Sequence, residues 1–159
     1  HRKIGYVGTD LKRIFSADRK AGYMLALAEN NVPFKESYYL EMPQVPKEEN
    51  DALLHFLSGN DRPTAVLVSD DILAMVLEKT AFKLHLHIPE DLSIISFNNS
   101  LFSKLSSPQL TSIDINSRQL GIEAASQMIN HIENPGLLAT KIIVPHFMIE
   151  RQSCAAPAD

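Results

Sequence analysis

With 159 residues, 45% of them hydrophobic and 21% charged, the chain has the composition of one globular domain with a substantial core, or of part of a larger two-lobed one. Its formal net charge is −4 and no Lys/Arg cluster is longer than a pair such as Lys12-Arg13, which argues against nucleic-acid contact by this chain, because phosphate binding needs a concentrated basic face. The single cysteine, Cys154, excludes an internal disulfide and a cysteine-rich metal site and fits a reducing compartment, while no apolar stretch approaches the roughly 20 residues of a membrane span.

The chain opens on HRKIGYV (1–7), without Met or signal peptide, and enters a strand almost at once, which predicts a piece of a longer protein. Residues 3–8 form a β-prone run followed by a polar loop, 9–15. From Ser16 apolar residues recur at helical spacing, with Ser16 or Asp18 as the starting cap, until Pro33 restricts Val32 to extended conformations. A second strand spans 37–42, and an amphipathic helix with acidic residues at its positive end spans 48–57. The run TAVLV (64–68) reads as a strand buried on both faces, and a helix with carboxylates at its start follows over 69–82. A fourth strand spans 92–97, a loop 101–107, a fifth strand 109–115, a helix 116–132 and a last strand 141–149, with residues 155–159 expected to be disordered. Strands alternate with helices, so the expected fold class is α/β with a parallel sheet flanked by helices.

In such a sheet, ligands bind beyond the carboxyl ends of the strands, which selects residues 8–19, 69–71 and 98–100. Arg19 stands one turn into its helix, where its fork of donors can swing over the sheet edge; the plain alternative is a surface arginine or a salt bridge to Asp18. Of the pair Asp70-Asp71, the second reads as the helix cap or a partner of the helix dipole, leaving Asp70 free to face a ligand; a general acid–base pair or a magnesium site is the other reading. The apolar strand LSIISF (92–97) stops on two carboxamides, Asn98 and Asn99, one expected to close a turn and the other to recognise a ligand. His85 and His87 share an H-x-H spacing but sit in a connector, where a pair of surface histidines is the simpler reading. Phosphate loops and the nucleophile elbow are both missing from the sequence, which favours binding over catalysis, with no catalytic residue and no cofactor.

Six stretches occur in one order: SADRKAGYMLAL (16–27), RPTAVLVSDDILAM (62–75), IPEDLSIISFNNS (88–100), SPQLTSI (107–113), LGIEAA (120–125) and IERQS (149–153). The series resembles the effector-binding part of the lactose-repressor/galactose-repressor family of bacterial transcription regulators, from about Lys3 to Ser153. The resemblance implies a type I periplasmic-binding-protein-like fold of two lobes, with a small effector in the cleft between them. It places residues 3–110 in the carboxyl-terminal lobe, 111–136 in a crossover and helix of the amino-terminal lobe, 137–153 in a returning strand and 154–159 in a tail, with the DNA-binding headpiece outside the chain. Arg19 matches the family's effector-gripping arginine, Asp71 its helix-starting acid and Asp70 the variable position that often touches ligand. Asn98 stands where the family usually carries aspartate, and the FNN version looks most like maltose-operon repressors. Two departures accompany it: His85 occupies a position that is usually glycine, and Gln44 stands near a position where relatives stack an aromatic.

The expectation is therefore the sugar-sensing half-domain of a cytoplasmic repressor, allosteric and without enzyme activity, binding a maltose-like saccharide through Arg19, Asp70 and Asn98. Met75, Leu101 and Phe102 are expected at a homodimer interface, and operator DNA is expected to be bound through the missing headpiece; no metal or membrane is involved. A sugar-binding protein of a transport system with the same fold is the binding alternative, and a metal-using α/β enzyme built on Asp70 and Asp71 is the alternative from another class.

Overall fold

A computed structural model describes residues 1–9, 14–42, 45–46 and 50–157, without the side chains of Ile14 and Phe15. Six strands form one sheet: β1 (Ile4–Thr9), β2 (Tyr39–Met42), β3 (Ala65–Val68), β4 (Ser93–Phe97), β5 (Thr111–Asp114) and β6 (Phe147–Ile149), in the order β2-β1-β3-β4-β5-β6. The first five are mutually parallel and β6 runs antiparallel to β5. The helices are α1 (Ile14–Glu29), α2 (Asp51–Leu57), α3 (Asp71–Lys83), α4 (Leu101–Leu105) and α5 (Ser117–Glu133). The chain is thus α/β, with a mostly parallel sheet flanked by helices, as its alternating pattern predicts.

Successive residues of a strand face opposite sides of the sheet, and β1 and β3 pack on both. On one face Val7, Val66, Val68, Leu92 and Ile94 meet Leu53, Phe56 and Leu57 of α2 and Leu73, Ala74, Leu77 and Ala81 of α3, all buried. On the other, Tyr6 meets Tyr23 and Leu27 of α1, with Leu67 packed against them. The run TAVLV, expected to be buried on both faces, is fully buried only through Val66 and Val68, while Ala65 and Leu67 on the opposite face are half-buried.

Several local expectations are corrected. Helix α1 begins at Ile14, so Ser16 and Asp18 lie inside it and neither caps it; Ser16 is buried. Asn50 caps α2 through Ala52 N (2.8 Å), while 48–49, Lys12, Arg13 and Gln44 lie outside the described residues. Residues 101–105, read as loop, form the short helix α4. The last strand covers only Phe147–Ile149, because only these residues pair with β5 (Ser112↔Ile149, Ile113↔Met148, Asp114↔Phe147). Ala155, expected to be disordered, is held to β4 through Ser93 Oγ, which its N–H approaches at 3.1 Å. His85 adopts φ +57°, the left-handed conformation that glycine takes without cost.

Helix α5 buries none of its residues. Leu120, Ile122, Met128, Ile129 and Ile132 are all exposed, as are Leu138 and Ile143 beyond it. An amphipathic helix acquires its stability by covering an apolar face, so α5 stands where a partner surface is called for.

On α3, Glu78 has one carboxylate oxygen buried without a hydrogen-bond partner among the described residues. Burial raises its pKa from 4.5 to about 7, against the opposing effect of a hydrogen bond with Ser106. Ionised Glu78 therefore destabilises the fold above pH 7, and the penalty vanishes below about pH 4.5. Glu78→Gln is expected to be more stable than the parent at pH 8, with the gap in urea midpoint closing as the pH falls to 5. A gap independent of pH would contradict this assignment.

Candidate functional site

The order β2-β1-β3 means that the chain leaves β1 in one direction and returns on its other side. The adjacent carboxyl ends of β1 and β3 make the topological switch point, where connecting loops diverge and leave a crevice. Arg19 of α1, Ser69 and Asp70 after β3, and Asn98 after β4 converge there.

Arg19 is not a surface arginine. Its Nη1 donates to the Ser69 carbonyl (2.6 Å) and its Nη2 to Asn98 Oδ1 (3.2 Å), with the guanidinium 4.4 Å above the Phe97 ring. Burial lowers its pKa, opposed by Tyr6, Asp70 and Asp71, yet a guanidinium stays charged throughout the neutral range. Its fork is thus aimed across the carboxyl ends of β3 and β4. The carboxamide of Asn98, carried on a backbone at φ +99°, accepts from it without bringing a compensating charge.

The cap falls on the other aspartate than expected. Asp70 caps α3, its Oδ1 accepting from Leu73 N (2.9 Å), while its Oδ2 lies 3.4 Å from Ser69 Oγ. Capping is a matter of backbone geometry: Asp70 is extended (φ −159°, ψ 164°), as an N-cap requires, and Asp71 is already helical. Asp71 is buried, and its carboxylate takes bonds from Ser96 Oγ (2.6 Å), Ser112 Oγ (2.8 Å) and Ser100 N (2.6 Å). It ties the ends of β4 and β5 and the start of α4 to the first turn of α3. Neither aspartate stands in a metal cluster: no three His, Cys, Asp or Glu side chains converge among the described residues. His87 is engaged with Asp91 (3.1 Å).

Asn99 is a turn residue (φ +46°) and also a bridge. Its Nδ2 donates to Asp114 Oδ2 (2.9 Å), which with the Asn116 N–H holds the Asp114 carboxyl below its usual range, and its Oδ1 accepts from Arg151 Nη2. Arg151 also donates to the Leu110 carbonyl (2.6 Å), so IERQS fastens β5 and the SFNNS turn together. Sequence reasoning assigned no role to Arg151, Ser96 or Ser112. The polar Ser96 and Ser112 inside apolar strands were the available signal, since a buried hydroxyl implies a buried partner.

Of the residues expected at a dimer contact, Leu101 is 65% and Phe102 42% exposed on α4, and Met75 is half-buried on α3, which packs against α4. Ile72 of α3 and Leu105 of α4 are exposed as well. A groove of about 890 Å³ runs beneath α1 along the sheet, lined by Leu67, Arg19 and Phe97 among others, and so adjoins the switch-point site without coinciding with it.

Residues 1–154 match the family described as "Periplasmic binding protein-like domain". The chain is 33% identical over 153 residues to the HTH-type transcriptional repressor PurR of Photorhabdus laumondii, covering 96% of this chain and 45% of that protein. Against the repressor of the same name from Escherichia coli O1:K1 the identity is 33% over 155 residues, covering 98% and 46%. The chain therefore spans about half the length of these curated relatives. Among solved structures, a LacI transcriptional regulator from Bacillus cereus subsp. cytotoxis superposes with a TM-score of 0.88 at 30% identity, covering 99% of this chain and 56% of that one. The regulator CcpA of Lactococcus lactis follows with a TM-score of 0.83 at 26% identity, covering 97% and 56%.

Because the Asp71 carboxylate unites four elements behind the site, Asp71→Asn, whose amide cannot accept from all three donors, is expected to lose roughly 3 kcal/mol of stability in urea denaturation. A loss below about 0.5 kcal/mol, the scale of an ordinary surface substitution, would show that the carboxylate does not organise this edge.

Proposed function

This chain belongs to the periplasmic binding protein-like domain family, and on that premise we propose that it is the effector-sensing half-domain of a transcriptional repressor. Residues 3–110 form the carboxyl-terminal lobe; 111–136 cross into the amino-terminal lobe, 137–153 return, and 154–159 are a tail. Two observations support this division: the unburied face of α5 and the chain's coverage of about half of its relatives. The repressor acts in the cytoplasm as a homodimer joined over Met75, Leu101 and Phe102, and holds operator DNA through a headpiece outside this chain. The described residues contain no helix long and apolar enough to cross a membrane.

The observation that carries the ligand assignment is the fork of Arg19 laid across the Ser69 carbonyl and Asn98 Oδ1 at the switch point. A planar guanidinium bonds two vicinal hydroxyls at once, Asn98 both donates and accepts, and the Oδ2 of Asp70 accepts from a hydroxyl. Asn98 carries no charge where relatives of the resembled family carry an acid, so the site suits an uncharged polyhydroxy ligand of the maltose class. A saccharide that binds one arrangement of the two lobes more tightly than the other shifts their populations, and the headpieces read that shift. No step of this mechanism is catalytic.

Titration calorimetry of the full-length protein against maltose, glucose, ribose and a purine base tests the assignment. Saccharide binding is expected, and Arg19→Ala is expected to weaken it about tenfold to a hundredfold, the range of charge-assisted hydrogen bonds. Asn98→Asp is expected to change ligand preference while leaving unfolding unchanged. Binding of the purine base alone, or Arg19→Ala with undiminished saccharide affinity, would refute the site.

A further inference from the structure

The chain has four tyrosines. Three have hydrogen-bonded hydroxyls: Tyr23 to the Ile4 carbonyl (2.9 Å), Tyr38 to Asp61 (2.8 Å) and Tyr39 to Glu41 (2.9 Å). The fourth, Tyr6, is only 1% exposed, yet its hydroxyl makes no hydrogen bond among the described residues. The buried polar atoms left without a partner among the described residues are Ser16 Oγ, Glu78 Oε1 and Ser100 Oγ. The Tyr6 hydroxyl is not one of them, so the little exposure that Tyr6 keeps leaves its oxygen within reach of solvent and of a ligand.

Where that hydroxyl lies gives it a use. Tyr6 is fixed on β1 by stacking on Tyr39 (5.6 Å between centroids, 9° between planes) and by the tilted ring of Tyr23 at 5.4 Å. Gly8, two residues on and on the same face, has no side chain; a Cβ there would stand 2.5 Å from Tyr6 Cε1 and 2.9 Å from its Oη. The phenol therefore lies over the Gly8 backbone and points toward the carboxyl end of β1, the strand at the switch point. Burial raises the pKa of Tyr6, Arg19 acts to lower it, and Glu41 and Asp70 raise it, so the hydroxyl lies within the field of the residues that ring the crevice and remains a proton donor at neutral pH.

We propose that the Tyr6 hydroxyl is a ligand contact on the floor of the crevice, bonding one saccharide hydroxyl beside the pair held by Arg19 and so selecting among saccharides. The proposal rests on the saccharide reading of the site. Glycine at position 8 is the steric condition for it, and the rigid three-tyrosine stack fixes the donor in advance, so little side-chain freedom is lost on binding. A site built to bond a hydroxyl rejects an analogue that lacks it more strongly than an apolar pocket rejects a missing methylene.

The experiment uses the full-length protein, its Tyr6→Phe variant, maltose and a set of monodeoxy maltoses, with affinities from calorimetry and thermal unfolding as a control. Tyr6→Phe keeps the ring and its stacking. The variant is expected to bind maltose about tenfold more weakly and to melt no lower than the parent. One monodeoxy maltose is expected to bind the parent poorly and to bind parent and variant equally. Equal maltose affinity in the two proteins would overturn the role of Tyr6 while leaving the saccharide reading intact, and so would a lowered melting temperature without a change in affinity. Failure of the parent to bind any saccharide would overturn both.

Discussion

A single buried carboxylate organises the carboxyl edge of this sheet. Asp71 sits in the first turn of α3 and receives the Ser96 hydroxyl from β4, the Ser112 hydroxyl from β5 and the Ser100 N–H at the start of α4. Removing a charge from water costs several kcal/mol, so such a group persists only where donors surround it. Its neighbours in sequence carry the site. Ser69, two residues before it, offers a carbonyl to Arg19, and Asn98, midway between Ser96 and Ser100, offers a carboxamide. The position of the Arg19 fork is therefore inherited from a bond network centred on Asp71.

A second set of bonds returns the chain's last segment to the same edge. Arg151 joins Leu110 and Asn99, Ser153 Oγ donates to the Ile94 carbonyl at 2.5 Å and accepts from Thr111 N at 2.8 Å, and Cys154 Sγ reaches the Ile94 carbonyl at 3.2 Å. Between these well-fastened ends, α5 covers nothing. Stability is thus distributed unevenly, concentrated around β1, β3 and β4 and sparse from Ser117 to His146.

Most of the sheet was legible because its strands announce themselves in two ways. Strands covered by helices on both faces are apolar at successive positions, as in AVLV (65–68), even where one face is only half-buried, and their ends are marked by turn residues. Helix boundaries were less legible where a cap is defined by backbone conformation: Asp70 and Asp71 are chemically identical, and only the extended geometry of the first decides which one caps. Helix α4 was hidden because five residues are little more than one helical turn, too few for a hydrophobic period to repeat. The last strand was overread for a related reason. KIIVPHFMI is strand-like throughout, but strand formation needs a neighbour, and only Phe147–Ile149 have one. Of the proposed site, Arg19, Asp70 and Asn98 were expected from their places at the strand ends, and the structure brings Arg19 onto Asn98 and the Ser69 carbonyl. Tyr6 was not singled out, since a tyrosine in an apolar strand is indistinguishable from core until the neighbours of its hydroxyl are seen.

The turn SFNNS carries a constraint that bears on how such a site diversifies. Asn98 and Asn99 sit at φ +99° and +46°, a region that β-branched and bulky side chains avoid and that glycine, asparagine and aspartate accept. The backbone thereby limits position 98 to a very small chemical alphabet: no side chain, a neutral amide or an anion. The charge presented at this edge can be toggled there by exchanging NH₂ for O⁻, at almost no conformational expense. Finer distinctions of size and shape fall to residues elsewhere, on ordinary strand and helix backbone, where the full set of side chains is open to selection.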